Sequence, residues 1–158
     1  MRVLKYSDRK NIKKQIRGKI VVLAGGCFDL LHFGHIKFLE GAKKQGNFLV
    51  IALESDEFIK KSKKKKPFHK LDERAEILSC IKYVDLVIKL PLFKSDADYF
   101  KLTQLIRPKI IAVSVKDKHY AIKKKQADEI GGKVKVVSKI FKKFSSTKAL
   151  NYATILSH

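Results

Sequence analysis

Cysteine is nearly absent from this chain: Cys27 and Cys80 are the only two. They lie far apart and show neither metal-ligand spacing nor the clustered pattern of a disulfide framework. A disulfide-stapled secreted domain and a thiolate metal centre are thereby excluded. Cys27 reads either as a small buried residue or as a reactive thiol; Cys80 falls in the apolar pattern of a helix and is expected in the core. Long apolar runs are also missing. None approaches the roughly 18 residues that a membrane-spanning helix needs. The basic, polar residues 1–18 lack the apolar centre of a secretory signal, so a cytoplasmic location is expected. No internal repeat is visible.

Acidic residues are few: 15 Asp and Glu stand against 36 Lys and Arg, for a net charge of +21. Such charge opens a nucleic-acid reading. Arginine is scarce as well, however, being confined to Arg2, Arg9, Arg17, Arg74 and Arg107. The lysine excess is spread along the whole chain, and no aromatic-and-arginine stacking signature accompanies it. Nucleic acid therefore stays a secondary partner class, whereas attraction of small polyanions follows from the charge either way.

What is present is a chain of 158 residues with 45% hydrophobic content, enough for one domain with a sizeable core. Short β-branched runs alternate with helical periodicity. Strands are expected at residues 19–24, 47–54, 83–90, 109–115 and 133–139, and helices at 33–44, 71–82, 95–106 and 121–130. Residues 55–70, with the lysine run Lys63–Lys66 and then Pro67, read as a loop. Ser145 or Ser146 is placed to cap a last short helix. Strand–helix alternation with short links argues for an α/β fold: a Rossmann-like, doubly wound parallel sheet of about five strands. Residues 19–158 form that domain, and 1–18 are a basic arm or an extra helix. Ligands of such sheets bind at the carboxyl ends of the strands, which directs attention to residues 25–35, 54–56, 115–120 and 144–148.

Residues 24–35 read AGGCFDLLHFGH, between the first expected strand and the first expected helix. Glycines there let backbone approach a ligand, and the helix start offers N–H groups and a positive dipole end to phosphate. His32 and His35 are three residues apart, which puts both imidazoles on one side of a helix start. Such a pair can stabilise charge on a phosphate. It can also be half of a metal site, although no third ligand stands at useful spacing, or two structural histidines.

The string G-x-F-D-L-L-H-x-G-H resembles the signature of the cytidylyltransferase-like family of nucleotidyltransferases. The likeness runs on through LVIALESDEF, DERAEIL and YVDLVI to Ser145-Ser146-Thr147-Lys148, so it covers nearly the whole chain after Lys19. The first half is similar to glycerol-3-phosphate cytidylyltransferase, the second to the heptose-phosphate adenylyltransferase domain, and archaeal FAD synthetases are similar too. The resemblance implies transfer of a nucleotidyl group from CTP or ATP to a small phosphorylated acceptor, with release of pyrophosphate. It selects neither base nor acceptor.

By the same resemblance, His32 and His35 contact the triphosphate, and Gly26, Cys27, Phe28 and Asp29 line the phosphate and acceptor site. One lysine of Lys63–Lys66, represented by Lys65, binds phosphate. Arg74 matches a family arginine suited to phosphate, with a helix-surface ion pair as its alternative. Lys82 stands where glycerol phosphate enzymes carry arginine. Ser145, Ser146 and Thr147 bind the β- and γ-phosphates, with a plain helix cap as the alternative. Mg²⁺ is expected to arrive with the NTP and to keep several waters, and dimers among relatives make a homodimer an expectation. Family members usually carry glycine and an acidic residue in the turn after the fourth expected strand. Here residues 115–120 read VKDKHY, with Lys116 and Tyr120 matching the heptose branch. That departure, with Lys82, leaves two alternatives: a homologue that binds nucleotide without turnover, and a basic nucleic-acid-binding protein on the same fold.

Overall fold

The computed structural model describes residues 2–139. In chain order the elements are β1 (Val3–Lys5), α1 (Arg9–Ile16), β2 (Val21–Gly26), α2 (Phe33–Lys43), β3 (Phe48–Leu53), α3 (Asp56–Lys63), α4 (Leu71–Ser79), β4 (Leu86–Lys89), α5 (Asp96–Ile106), β5 (Ile110–Ser114), α6 (Tyr120–Glu129) and β6 (Lys133–Ser138). All strand pairs are parallel, in the order β1-β4-β3-β2-β5-β6. Helices cover both faces. One face buries Val22, Ala24, Leu49, Ile51 and Leu53 with Leu39 of α2 and Leu78 of α4. The other buries Val21, Leu23, Val50 and Ala52 with Ile12 of α1 and Leu102 of α5. Alternate residues of each strand thus serve opposite cores, as a pleated sheet buried on both sides requires.

The sheet has six strands where about five were expected. The additional one is β1, which pairs with β4; its three residues are too few to show a period. The segment before Lys19 therefore supplies both an edge strand and a helix to the same sheet, with α1 packed on α5. Residues 55–70 are not all loop. Ser55 caps α3 by accepting from the Phe58 amide at 3.2 Å, Ile59 is its one fully buried residue, and Lys64 ends it in a left-handed conformation (φ 52). A helix with a single buried residue among lysines leaves no apolar stripe to read. Cys80 is exposed, contrary to the expectation that it is core, because α4 ends at Ser79 and Cys80 is its C-cap.

From β2 the chain proceeds to β3 and β4 on one side, then crosses to β5 and β6 on the other. The switch point between β2 and β5 opens a crevice at their carboxyl ends. Helix α2 crosses close over the β6 side: a Cβ on Gly41 would lie 2.3 Å from the Val137 carbonyl oxygen, so only glycine permits the approach.

Candidate active site

The crevice is a cleft of about 300 Å³. Its first wall is the turn from β2 into α2. Phe28 takes a left-handed backbone conformation (φ 44), which folds its ring back over Gly26. A Cβ on Gly26 would lie 3.0 Å from that ring, so the glycine is part of the turn. The Phe28 ring also packs against His35, with centroids 5.2 Å apart. His32 is the N-cap of α2 in extended conformation, and its own side chain makes no capping hydrogen bond. Its carbonyl accepts from the His35 amide at 2.9 Å. The two imidazoles stack with centroids 3.9 Å apart and planes 26° from parallel.

Neither histidine Nδ1 has a hydrogen-bond partner, although both are shut from solvent. Burial lowers the pKa of His32. Burial, the neighbouring His32 and the Lys63 ammonium push His35 down to about 4. At neutral pH the pair is therefore uncharged, even though a hydrogen bond between His35 and the Leu30 backbone favours the charged form.

This wall is braced from beneath. Arg74 is fully buried. Its guanidinium donates to the Cys27 carbonyl at 2.6 Å and the Glu54 carbonyl at 2.9 Å, and to the His69 carbonyl at 3.1 Å and Asp56 Oδ1 at 2.7 Å. Asp29 is 4% exposed, and its Oδ1 accepts from the amides of Phe68 and His69 at 2.8 and 3.1 Å. One arginine and one aspartate thus tie the phosphate-loop backbone to β3 and to the segment that follows the lysine run.

The opposite wall comes from Ala112–Ser114 at the end of β5, from Asp117, and from Ser138 and Lys139 at the end of β6. Asp117 accepts from the His119 amide at 2.8 Å and from Lys123 Nζ at 2.8 Å. Its burial pushes its pKa up, but Lys123 and the His119 amide outweigh that and hold it below the usual carboxylate range. The turn before it lacks glycine, yet Lys116 itself adopts the left-handed conformation (φ 63) that glycine supplies more cheaply.

Of the residues expected at the site, Gly26, Cys27, Phe28, His32 and His35 line the cleft together. Asp29 lies just behind them. Arg74 is neither a free phosphate ligand nor a surface ion pair: with no exposed surface and four bonds inside the protein, it positions the loop. Lys82 is not brought to the cleft either. It lies between α4 and β4, at the amino edge of the sheet and away from the cleft, with Nζ 5.1 Å from the centre of the Tyr83 ring. In the lysine run, Lys63 is the residue whose charge acts on His35 and Cys27. Lys65 follows in the loop after α3. Lys116 is exposed on its turn. Ser145, Ser146 and Thr147 lie outside the described residues. Ser114, Asp117, Ser138 and Lys139 were not singled out from sequence. Only Asp117 had a signal, its place in the turn after β5; the others become neighbours through strand pairing alone.

The chain matches the family model described as cytidylyltransferase-like over residues 23–157. It is 36% identical over 135 residues to the bifunctional protein HldE of Campylobacter fetus, covering 85% of this chain and 28% of that protein. It is 44% identical over 103 residues to the FAD synthase of Thermococcus onnurineus, covering 65% of this chain and 66% of that protein. Among solved structures, the lipopolysaccharide core biosynthesis protein of Thermoplasma volcanium superposes with a TM-score of 0.63 at 32% identity, covering 78% of this chain and 97% of that one. The pantoate-β-alanine ligase of Francisella tularensis reaches a TM-score of 0.68 over 100% of this chain and 78% of its own at 14% identity, a likeness of fold alone.

Proposed function

The chain belongs to the cytidylyltransferase-like family, and from that premise we propose that it transfers a nucleotidyl group from an NTP to a small phosphorylated acceptor. The observation that carries this reading is the stacked pair His32 and His35, uncharged and each with an unpartnered Nδ1, at the start of α2 beside the cleft. A phosphate oxygen of the acceptor attacks the α-phosphorus. The bond from that phosphorus to the oxygen bridging it to the β-phosphate breaks, and pyrophosphate leaves with the electron pair. Negative charge grows on the α-phosphate and the leaving group, and the two imidazoles with the start of α2 stabilise it there. Holding the phosphates in line supplies much of the remaining rate. No protein nucleophile is needed, because the acceptor carries its own.

Among the described residues no three His, Cys, Asp or Glu side chains converge as a metal site. A Mg²⁺ ion carried on the NTP would draw most of its ligands from phosphate and water, so the reading requires no such cluster. Bound there, it would neutralise charge on the phosphates. Lys63, and Ser146 and Thr147 beyond the described residues, are the further phosphate ligands of this reading. The acceptor classes are glycerol 3-phosphate, a heptose 1-phosphate and FMN, and the base is cytosine or adenine.

The test is the fate of an NTP radiolabelled at its α-phosphate. The label is expected to move to the acceptor, with none retained on the protein. Label found covalently on the protein would overturn the direct step.

A further inference from the structure

Beside the phosphate loop stands a polar group that the reaction above leaves unused. Glu54 follows β3 at the carboxyl edge of the sheet, and its amide donates to the Gly26 carbonyl at 3.1 Å. The residue is 7% exposed. Its Oε1 accepts from the Tyr99 hydroxyl of α5 at 3.0 Å, while its Oε2, also shut from solvent, has no partner. A buried carboxyl with one oxygen unused is costly. Burial lifts its pKa to about 7 against the opposing pull of Tyr99, Lys123 and Arg74.

The surroundings of Glu54 lead to the cleft. Val50, Ala52 and Glu54 alternate along the chain and share the sheet face that α5 covers. Gly25 pairs with Ala52 in the ladder. A Cβ built on Gly25 would meet only Ala52 within 4 Å, at an ordinary contact distance of 3.7 Å. Gly25 also lines the cleft. Cys27 lines it too, and its thiol feels the charge of Glu54. The Glu54 carboxyl thus lies directly behind the wall that Gly25, Gly26 and Cys27 give to the cleft.

We propose that Glu54, oriented by Tyr99, selects the acceptor by taking a hydrogen bond from a hydroxyl of its non-phosphate part on Oε2. This rests on the nucleotidyl transfer proposed above. A hydroxyl suits the position better than an ammonium group, since Lys123 and Arg74 already place positive charge on this carboxyl. A second phosphate is disfavoured by the carboxyl itself.

The test measures pyrophosphate release with Mg²⁺ and an NTP, using glycerol 3-phosphate, a heptose 1-phosphate and FMN as hydroxylated acceptors and phosphoethanolamine as the cationic one. Wild type is expected to use a hydroxylated acceptor. Glu54→Gln puts an amide donor where Oε2 was, and is expected to raise the acceptor KM by about tenfold or more, with the NTP KM within about threefold of wild type. Tyr99→Phe is expected to shift the acceptor KM in the same direction by less. The melting temperature of Glu54→Gln at pH 8 is expected to be no lower than that of wild type, because a costly buried charge is removed; a structural glutamate would give a loss. A smaller rise in acceptor KM, an equal rise in NTP KM, a lower melting temperature, or a preference for phosphoethanolamine overturns the role of Glu54 and leaves nucleotidyl transfer standing. No release from wild type with any acceptor overturns both.

Discussion

The two walls of the cleft are built in opposite ways. The wall from β2 into α2 is one short piece of chain, residues 25–35, packed from beneath by Arg74 and Asp29, two charged residues at most 4% exposed. The wall from β5, α6 and β6 is assembled from separate segments, and its turn carries exposed Lys116 and the part-buried Asp117–Lys123 pair. On the proposed reading, the first wall holds the groups that meet phosphate and the second borders the rest of the nucleotide. On that reading, the buried bracing lies where charge must be met at fixed positions, and the wall of separate segments lies where specificity can vary.

Arg74→Ala should break the first wall outright. It removes the ion-pair partner of Asp56 and strips donors from three carbonyls around a fully buried position, so a loss of about 3–5 kcal/mol in chemical denaturation is expected. Arg74→Lys should not restore it, since an ammonium cannot reproduce the planar fork. A loss below about 1 kcal/mol would remove the distinction between the walls. His35→Ala should leave folding intact and lower turnover by about a hundredfold to a thousandfold. Turnover within a few-fold of wild type would return both histidines to a packing role.

The second wall should respond more mildly. Asp117→Asn weakens a part-buried pair, so stability should change by less than about 1 kcal/mol, while the KM for NTP shifts several-fold. Equal loss of stability and turnover would mean that this wall is as rigid as the first.

The subtlest contrast is in proton binding. His35 is lowered to about 4 in the free protein, so its neutral form contributes stability that is lost as pH falls from about 6.5 through 4. A bound triphosphate favours the charged imidazole. NTP binding at pH 5 to 6 should therefore take up protons, read by calorimetry in buffers of different ionisation enthalpy. The uptake should vanish in His35→Ala and persist in Asp117→Asn.

Much of this was legible in the sequence, for identifiable reasons. The strands of the central sheet are short β-branched runs, β2 being closed by Gly25 and Gly26, and His32 and His35 sit in one continuous motif whose neighbours set their geometry. β1 and α3 were not legible, because a three-residue edge strand and a lysine-covered helix with one buried residue carry no periodic signal. The place of Arg74 was hidden for another reason. Its partners, from Cys27 to His69, converge only when β2, β3 and α4 pack together. Glu54 reads as an ordinary strand-end residue until its burial and its idle oxygen are seen.

The most direct test is pyrophosphate release from CTP, ATP, GTP and UTP with Mg²⁺, each paired with glycerol 3-phosphate, a heptose 1-phosphate and FMN. The account predicts release with CTP or ATP that requires one of these acceptors and is lost in His35→Ala. Silence with every pair, together with no NTP binding by calorimetry, would contradict it.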